Sequence, residues 1–265
     1  MISFQQYVRA KSLEEAYTLY QKKNNVILGG MLWLKMQNSN KGTAIDLCDL
    51  GLDQIEETPD EYRIGAMVSL RALEKHDGLN KQTDGALEEA LKHIVGVQFR
   101  NVATIGGSIY GRYGFSDVLT LFMALDAKVE LYHAGVMSVK EFADFPRQTR
   151  DVLVRVIVPK TSGKTVYMSM RNTETDFPVL NCALSEVSGK YTCVIGARPM
   201  KAAFFEDEKG LLTGGISLES AEAFAKDIAS RADFSGNMRG SAAYRRKICE
   251  VLVRRSALAL QEVSQ

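Results

Sequence analysis

Two glycine pairs carry the residues of this chain best suited to holding a ligand. Gly29-Gly30 follow the apolar run Val26-Ile27-Leu28, and Gly106-Gly107 sit inside "TIGGS" at Thr104–Ser108. A phosphate needs donors that come close, and backbone N–H groups do so where no Cβ stands in the way. A helix beginning after such a turn adds N–H groups and the positive end of its dipole. "MLWLKMQ" after the first pair is compatible with a helix, and Thr104 and Ser108 set hydroxyls beside the second. Two such turns facing each other would suit a diphosphate. Each pair alone reads equally as a tight turn after a strand. Neither has the spacing of a dinucleotide-binding fingerprint or a nucleotide P-loop. Asp117, further along, reads either as a ligand contact or as an ordinary acid in the first turn of a helix.

The chain that must position these turns has 265 residues, 46% apolar and 25% charged, which fits one large or two small globular domains. A formal charge of +1 gives no field that would gather nucleic acid. The basic residues of Arg239–Arg255 fall at helical spacing and read as a solvated helix face. No apolar run approaches the roughly 20 residues of a membrane span. "MISFQQYVRA" lacks the basic start and apolar core of a signal peptide, so the expected location is the cytoplasm. Cys48, Cys182, Cys193 and Cys249 include no C-x-x-C pair, and His76, His93 and His133 are scattered. The expectation is thiols acting as small apolar residues, with no metal site on this chain.

Ser12 followed by Glu15 opens a helical pattern as a capping box. "VIL", "TAIDLCDL", "EYRIGAMVSL", "KVELYH" and "DVLVRVIVP" read as strands, and "ALEEALKHIV" as an amphipathic helix. "VATIGGSI" reads as irregular but apolar, and Ser116 as the N-cap of a helix through "DVLTLFMALDA". The best boundary is "PKTSGK" at Pro159–Lys164. Beyond it, "TVYMSM", "PVLNCALSEV" and "YTCVIGA" predict three strands, with Gly189 in a hairpin turn. One helix follows Ser217. Another runs through "SAAYRRKICEVLVRRSALAL", with Tyr244, Ile248, Val251, Leu252 and Leu258 as one stripe. Mixed strands and helices without βαβ alternation predict an α+β fold.

In order along nearly the whole chain, these segments resemble the FAD-binding (medium) subunit of the molybdenum hydroxylases, the family of xanthine dehydrogenase and carbon monoxide dehydrogenase. "VILGGMLWLKMQ" is similar to that family's first motif, and "VGVQFRNVATIGGSI" to its second. "DFPVLNCAL", "IGARPMKA" and "SAAYRRKICEVLVRRSAL" are similar to its C-terminal domain. The resemblance implies an FAD-binding domain at 1–160, in subdomains of about 1–57 and 58–160, with FAD between them. A C-terminal domain at 161–265 would follow, a three-stranded antiparallel sheet with helices. Carried over by position, the cofactor contacts are Val26, Ile27, Leu28, Gly29, Gly30, Met31 and Leu32, then Thr104, Gly106, Gly107 and Ser108, with Asp117 beyond. Ile94 and Val95 would lie near the flavin, and Arg171 and Lys201 would contribute from the C-terminal part.

Two departures stand out. Met31-Leu32 replace a hydroxyl and a polar side chain usual after the first pair. "YGRYG" at Tyr110–Gly114 replaces an Asn-Ala-Ser-Pro-like stretch, which offers Arg112 as a charge partner for the diphosphate. Tyr110 and Tyr113 read equally as rings stacked on an aromatic ligand or as packing. The implied activity is that of an oxidoreductase subunit. Substrate would be hydroxylated at a molybdopterin centre on a large partner chain. Electrons would cross two [2Fe-2S] clusters on a small partner chain to FAD here, and leave to NAD⁺ or another acceptor. No catalytic acid or base is assigned. Two other readings are a stand-alone FAD-dependent reductase or oxidase, which an exposed apolar patch on the N-terminal part would argue against, and an FAD-free scaffold subunit.

Overall fold

The computed structural model describes residues 1–262. In chain order the elements are β1 (Ser3–Arg9), α1 (Leu13–Tyr20), β2 (Val26–Leu28), β3 (Asn40–Asp46), β4 (Ile55–Glu57), β5 (Glu61–Gly65), α2 (Leu70–Glu74), α3 (Asp77–Gln82) and α4 (Ala86–Lys92). Then come α5 (Val97–Val102), α6 (Ile105–Tyr110), α7 (Asp117–Ala124), β6 (Lys128–Leu131), β7 (Gly135–Ser138), α8 (Val139–Asp144) and β8 (Leu153–Pro159). The chain ends with β9 (Lys164–Arg171), β10 (Pro178–Val187), β11 (Lys190–Gly196), β12 (Ala203–Glu206), α9 (Leu218–Arg231) and α10 (Ala242–Glu262). They form two compact units interleaved in sequence. The first holds Met1–Ala72, Val97–Gly111 and Ala127–Pro159, the second Leu73–Gly96, Arg112–Asp126 and Lys160–Gln265.

The first unit contains two sheets. One is parallel, in the order β1-β3-β2. Ser12 caps α1 by accepting from the Glu15 N–H, while the Glu15 carboxylate takes the Lys11 N–H. Ala16 of α1 buries against Ile45, Leu47 and Val154. The other sheet is antiparallel, β4-β5-β8-β6-β7, and α6 packs on its strand β8. Asp151 is buried there because the N–H groups of His133, Ala134 and Val152 converge on its carboxylate.

The second unit is built on an antiparallel sheet, β12-β11-β10-β9. The sequence predicts three strands; the fourth, β12, pairs Ala203–Glu206 with Ile195–Thr192. A four-residue edge strand is held by main-chain bonds to β11, so it needs no alternating pattern to announce it. Helices cover both faces of the sheet. Leu180, Cys182 and Leu184 face α9 and α10, in a core with Phe224, Ile228, Cys249 and Val253. The intervening Asn181 and Ser185 face α7, where Asn181 bonds Thr120 and Ser185 donates to the Ala124 carbonyl. Burial on both sides explains why Pro178–Ser185 are all buried.

The last helix differs from its predicted stripe. The buried positions are Arg245, Cys249, Leu252, Val253, Ser256, Ala257 and Leu260, while Tyr244 is exposed. The register shifts because Arg245, expected on a solvated face, is fully buried. Its guanidinium donates to the carbonyls of Val179, Ser235 and Gly240 and to Asn237 Oδ1. Those acceptors repay the desolvation of the charge. No helix among the described residues is long and apolar enough to cross a membrane.

Candidate cofactor site

The first unit brings the two glycine pairs together. Val26–Leu28 form strand β2 at the edge of the parallel sheet, so their backbones are committed to β3 and serve to aim the turn that follows. That turn leaves the carboxyl end of the strand, where parallel sheets of α/β proteins place their ligand crevices. Its entry is fixed by two residues with no sequence signal. Asn25, buried, donates to the Leu19 carbonyl and accepts from the Thr43 N–H. Arg150 donates to the carbonyls of Tyr20, Lys22 and Asn25 and lies 4.0 Å over the Tyr20 ring.

The two turns meet backbone to backbone. A methyl group on Gly30 would lie 2.1 Å from the Val102 carbonyl oxygen, and one on Gly29 would lie 2.9 Å from Thr104 Oγ1. One on Gly106 would lie 2.6 Å from the Ala66 carbonyl oxygen. At Gly30 and Gly106 no other residue fits without displacing main chain, whereas at Gly29 the methyl meets a side-chain hydroxyl. This close approach also explains why "VATIGGSI", expected to be irregular, is helical. Thr104 caps α6, and Gly106 is tolerated inside the helix because the Ala66 main chain leaves no room there for a Cβ. "MLWLKMQ" makes only a short 3-10 turn, Leu34–Met36.

The donors are divided unequally between the turns. At the start of α6 the N–H groups of Ile105 and Gly106 go to the carbonyls of Val68 and Ala66. Those of Gly107 and Ser108 go to Thr104 Oγ1 and the Thr104 carbonyl, and Ser108 Oγ also turns back to that carbonyl. Gly106-Gly107 therefore contribute room more than donors. Among the described residues no acceptor is paired with the N–H groups of Gly29, Gly30, Met31 and Leu32. Those four are the donors the site offers an anion. No Asp or Glu occurs from Ala16 to Ile45 or from Ala90 to Ser116, so both turns lie in carboxylate-free sequence. A cradle that a Cβ would fill and unpaired N–H groups fit the diphosphate of FAD.

The other predicted site residues lie in the second unit. Asp117 opens α7, whose N-cap Ser116 accepts from the Leu119 N–H. Its Oδ1 accepts from Arg171 Nη2 at 2.8 Å, from Asn181 Nδ2 at 3.1 Å and from the Tyr167 hydroxyl. Among the described residues no donor reaches Oδ2. Both members of the Asp117–Arg171 pair are buried, and Arg171 also donates to Ser169 and to the Asp176 carbonyl. Burial, and then the Asp117 charge, push the Tyr167 hydroxyl well above its ordinary range, so it stays a donor. The pair thus pins the start of α7 to β9 and β10. Ile94 and Val95 follow α4, and Val95 is exposed. Lys201 is exposed in the β11–β12 loop, and its carbonyl accepts from Arg198. That loop abuts the Tyr113-Gly114 stretch, where a methyl on Gly114 would lie 2.3 Å from the Met200 carbonyl oxygen. Arg112 is buried. Of the two tyrosines, Tyr110 packs against Phe142 with its hydroxyl toward the Asp151 N–H, and Tyr113 stacks on Phe115.

Comparison with known proteins identifies what the chain resembles. The family described as "FAD binding domain in molybdopterin dehydrogenase" matches residues 2–161. An uncharacterised protein of Escherichia coli, YgfM, is 29% identical over 94% of this chain and 93% of its own length. The glyceraldehyde dehydrogenase medium chain of Sulfolobus acidocaldarius is 26% identical over 93% of this chain and 94% of its own. A chain of carbon monoxide dehydrogenase from Hydrogenophaga pseudoflava superposes with a TM-score of 0.85 at 23% identity, covering 97% of this chain and 98% of that one. This last likeness is one of fold.

Proposed function

We propose that this chain, which belongs to the family of FAD-binding domains of molybdopterin dehydrogenases, is the flavin-carrying medium subunit of a cytoplasmic molybdenum hydroxylase complex. Electrons reach it from [2Fe-2S] clusters on a small chain, after substrate is oxidised at the molybdopterin centre of a large chain. They leave to NAD⁺ or another acceptor. FAD supplies the conversion between one-electron and two-electron transfer. The chain's own residues bind, orient and set the charge around it.

The observation that carries the reading is the backbone contact of the two glycine turns beside four unpaired N–H groups. In this reading Gly29, Gly30, Met31 and Leu32 donate to the diphosphate, and Thr104, Gly106, Gly107 and Ser108 form the opposing wall. Ile94, Val95, Arg112 and Lys201 are the further contacts that the sequence reading adds. Asp117 offers Oδ2 to a ligand hydroxyl while Arg171 holds the carboxylate in place. The FAD-binding region is 1–160, with subdomains of about 1–57 and 58–160, and 161–265 is the C-terminal domain. Met31-Leu32 cost side-chain contacts but leave the main-chain donors, so FAD is retained.

The test is the visible spectrum of the purified chain, with the released cofactor identified after denaturation. Near-equimolar FAD supports the reading. A protein that stays colourless in excess FAD makes the chain a scaffold instead. FAD without partner chains makes it a stand-alone flavoprotein.

A further inference from the structure

We infer that Arg150 is a positioning residue for cofactor binding. Acting through main-chain carbonyls rather than on the ligand, it sets where the first glycine turn stands, and so sets the affinity for FAD. The inference rests on the function proposed above. Arg150 lies shortly before β8, 130 residues from Tyr20, the first of its partners. Its Nε donates to the Tyr20 carbonyl at 2.5 Å, and its Nη2 to the carbonyls of Lys22 and Asn25 at 3.2 and 2.5 Å. One guanidinium therefore grips the whole link between α1, which ends at Tyr20, and β2, which starts at Val26. The link needs it. α1 has no basic residue in its own last turn, where free carbonyls and the negative end of the dipole favour a cation.

Strand β2 holds the turn only weakly by itself. It is three residues long, stands at the sheet edge and pairs with β3 alone, so few ladder bonds fix it. A shift at Asn25 therefore passes along Val26-Ile27-Leu28 to the N–H groups of Gly29, Gly30, Met31 and Leu32. The base from which Arg150 reaches is itself fixed. Its carbonyl accepts from Gln21 Nε2 at 3.0 Å, and the guanidinium lies flat over the Tyr20 ring. The adjacent Asp151 is buried under the N–H groups of His133, Ala134 and Val152, and Val152 and Val154 lie in the core with Ala16 and Ile45. The Asp151 N–H also points to the Tyr110 hydroxyl at 3.5 Å, and Tyr110 ends the helix that carries Gly106-Gly107. Two consecutive residues thus reach the segment before one glycine pair and the segment after the other.

The experiment titrates the full chain, stripped of FAD, with FAD in three forms: native, Arg150→Met and Arg150→Lys. Amide hydrogen exchange of each FAD-saturated protein is then followed by mass spectrometry. Arg150→Met should bind FAD about 10- to 100-fold more weakly, the equivalent of one charge-assisted hydrogen bond pulled out of line. Arg150→Lys should fall between that and native, because an ammonium keeps the charge but cannot fork across three carbonyls. The loss of protection in Arg150→Met should be confined to residues 22–32, with α6 exchanging as in the native protein. An arginine that only stabilised the fold would loosen both segments alike. Native affinity in Arg150→Met overturns the inference, and so does a loss of protection shared equally by α6. If Arg150→Met does not fold, Arg150→Lys is read by the same two measures, and native affinity or a shared loss overturns the inference there too. A native chain that takes up no FAD removes the proposed function itself, a result distinct from all of these.

Discussion

Replacing Gly30 by alanine tests the cradle where the geometry is least forgiving. The added methyl would lie 2.1 Å from the oxygen and 2.7 Å from the carbon of the Val102 carbonyl, and 3.1 Å from the Cα of Ala103. All three are main-chain atoms, so no side chain can swing aside. Ordinary contact begins near 3.4 Å, and the turn must retreat by roughly 1 Å. That is enough to misalign N–H donors whose bonds to a charged acceptor contribute about 1.5–3 kcal/mol each. Losing two of the four gives about 3–6 kcal/mol, or a dissociation constant weaker by roughly 10²–10⁴. Gly29→Ala meets only Thr104 Oγ1, at 2.9 Å, which can rotate away. It then forfeits the cap on α6, about 1 kcal/mol and roughly fivefold in affinity. Gly107→Ala meets the same oxygen at 3.1 Å and should matter least. The assay is titration of apo-protein with FAD, followed by quenching of flavin fluorescence, beside a thermal melt. The expected order of damage is Gly30, then Gly29, then Gly107. A folded Gly30→Ala protein with native affinity would refute the placement. If Gly30→Ala does not fold, Gly107→Asp reads the same site, because Gly107 is exposed and its side chain would set a carboxylate against the diphosphate. Native affinity there refutes the placement equally.

Arg171→Met should destabilise the chain by about 3–5 kcal/mol in urea unfolding, because it strands the buried Asp117 carboxylate; a change within 0.5 kcal/mol, the scale of a surface substitution, would show that the pair is solvated. Burial raises the Asp227 carboxyl, but hydrogen bonds from Lys209 and Arg231 outweigh it and hold the group below the ordinary carboxylate range. Its contribution to stability is therefore complete above about pH 4 and lost as pH falls through the lower folded value. Asp227→Asn should be less stable than wild type at neutral pH, with the gap closing in acid; a gap that widened in acid would reverse the sign. Only Cys48 is exposed among the four cysteines, and burial pushes the thiols of Cys193 and Cys249 up. A thiol reagent should titrate one group in the native protein and four after denaturation. Met31→Gly should raise the melting temperature by about 2–4 °C if the only effect is relief of its left-handed backbone, near 1 kcal/mol.

What the sequence made legible depended on how local the cause was. Ser12, Ser116 and Ser217 cap helices through bonds to N–H groups three residues ahead, and all three are visible as residue types in place. The glycine pairs were legible as candidates, but which pair supplies donors was not. That depends on the Val68 and Ala66 carbonyls, which reach α6 from another part of the chain. Arg150 and Asn25 were not legible because their partners lie across the fold. Arg245 was misread for a related reason. Helical periodicity sorts residues by polarity, and a buried guanidinium that finds carbonyl acceptors breaks the rule while obeying its physics. Asp117 was legible as a helix-start acid, and its partnership with Arg171 needed the sheet to close.

Backbone strain gives an independent view of the site. Met31, Val95 and Arg112 hold φ values of 58°, 54° and 46°, in the left-handed region. Each conformation costs roughly 1–3 kcal/mol for a residue with a Cβ, and a β-branched residue such as Val95 suffers most. Elsewhere the chain meets the same demand with glycine, at Gly51, Gly85, Gly135 and Gly189, and with other side chains at Asp84, Asp126, Ser188, Ala197 and Pro199. Glycine would relieve all three positions, so stability alone does not explain the side chains found there. Met31 and Val95 are among the residues that the sequence resemblance assigns to the cofactor, and Arg112 is offered by a departure from it. A left-handed residue turns the chain sharply, and Met31 does so directly after Gly29-Gly30. On this argument Met31 is not a decayed version of a polar contact. In the proposed function its main-chain N–H, and not its side chain, is the contact that serves the cofactor.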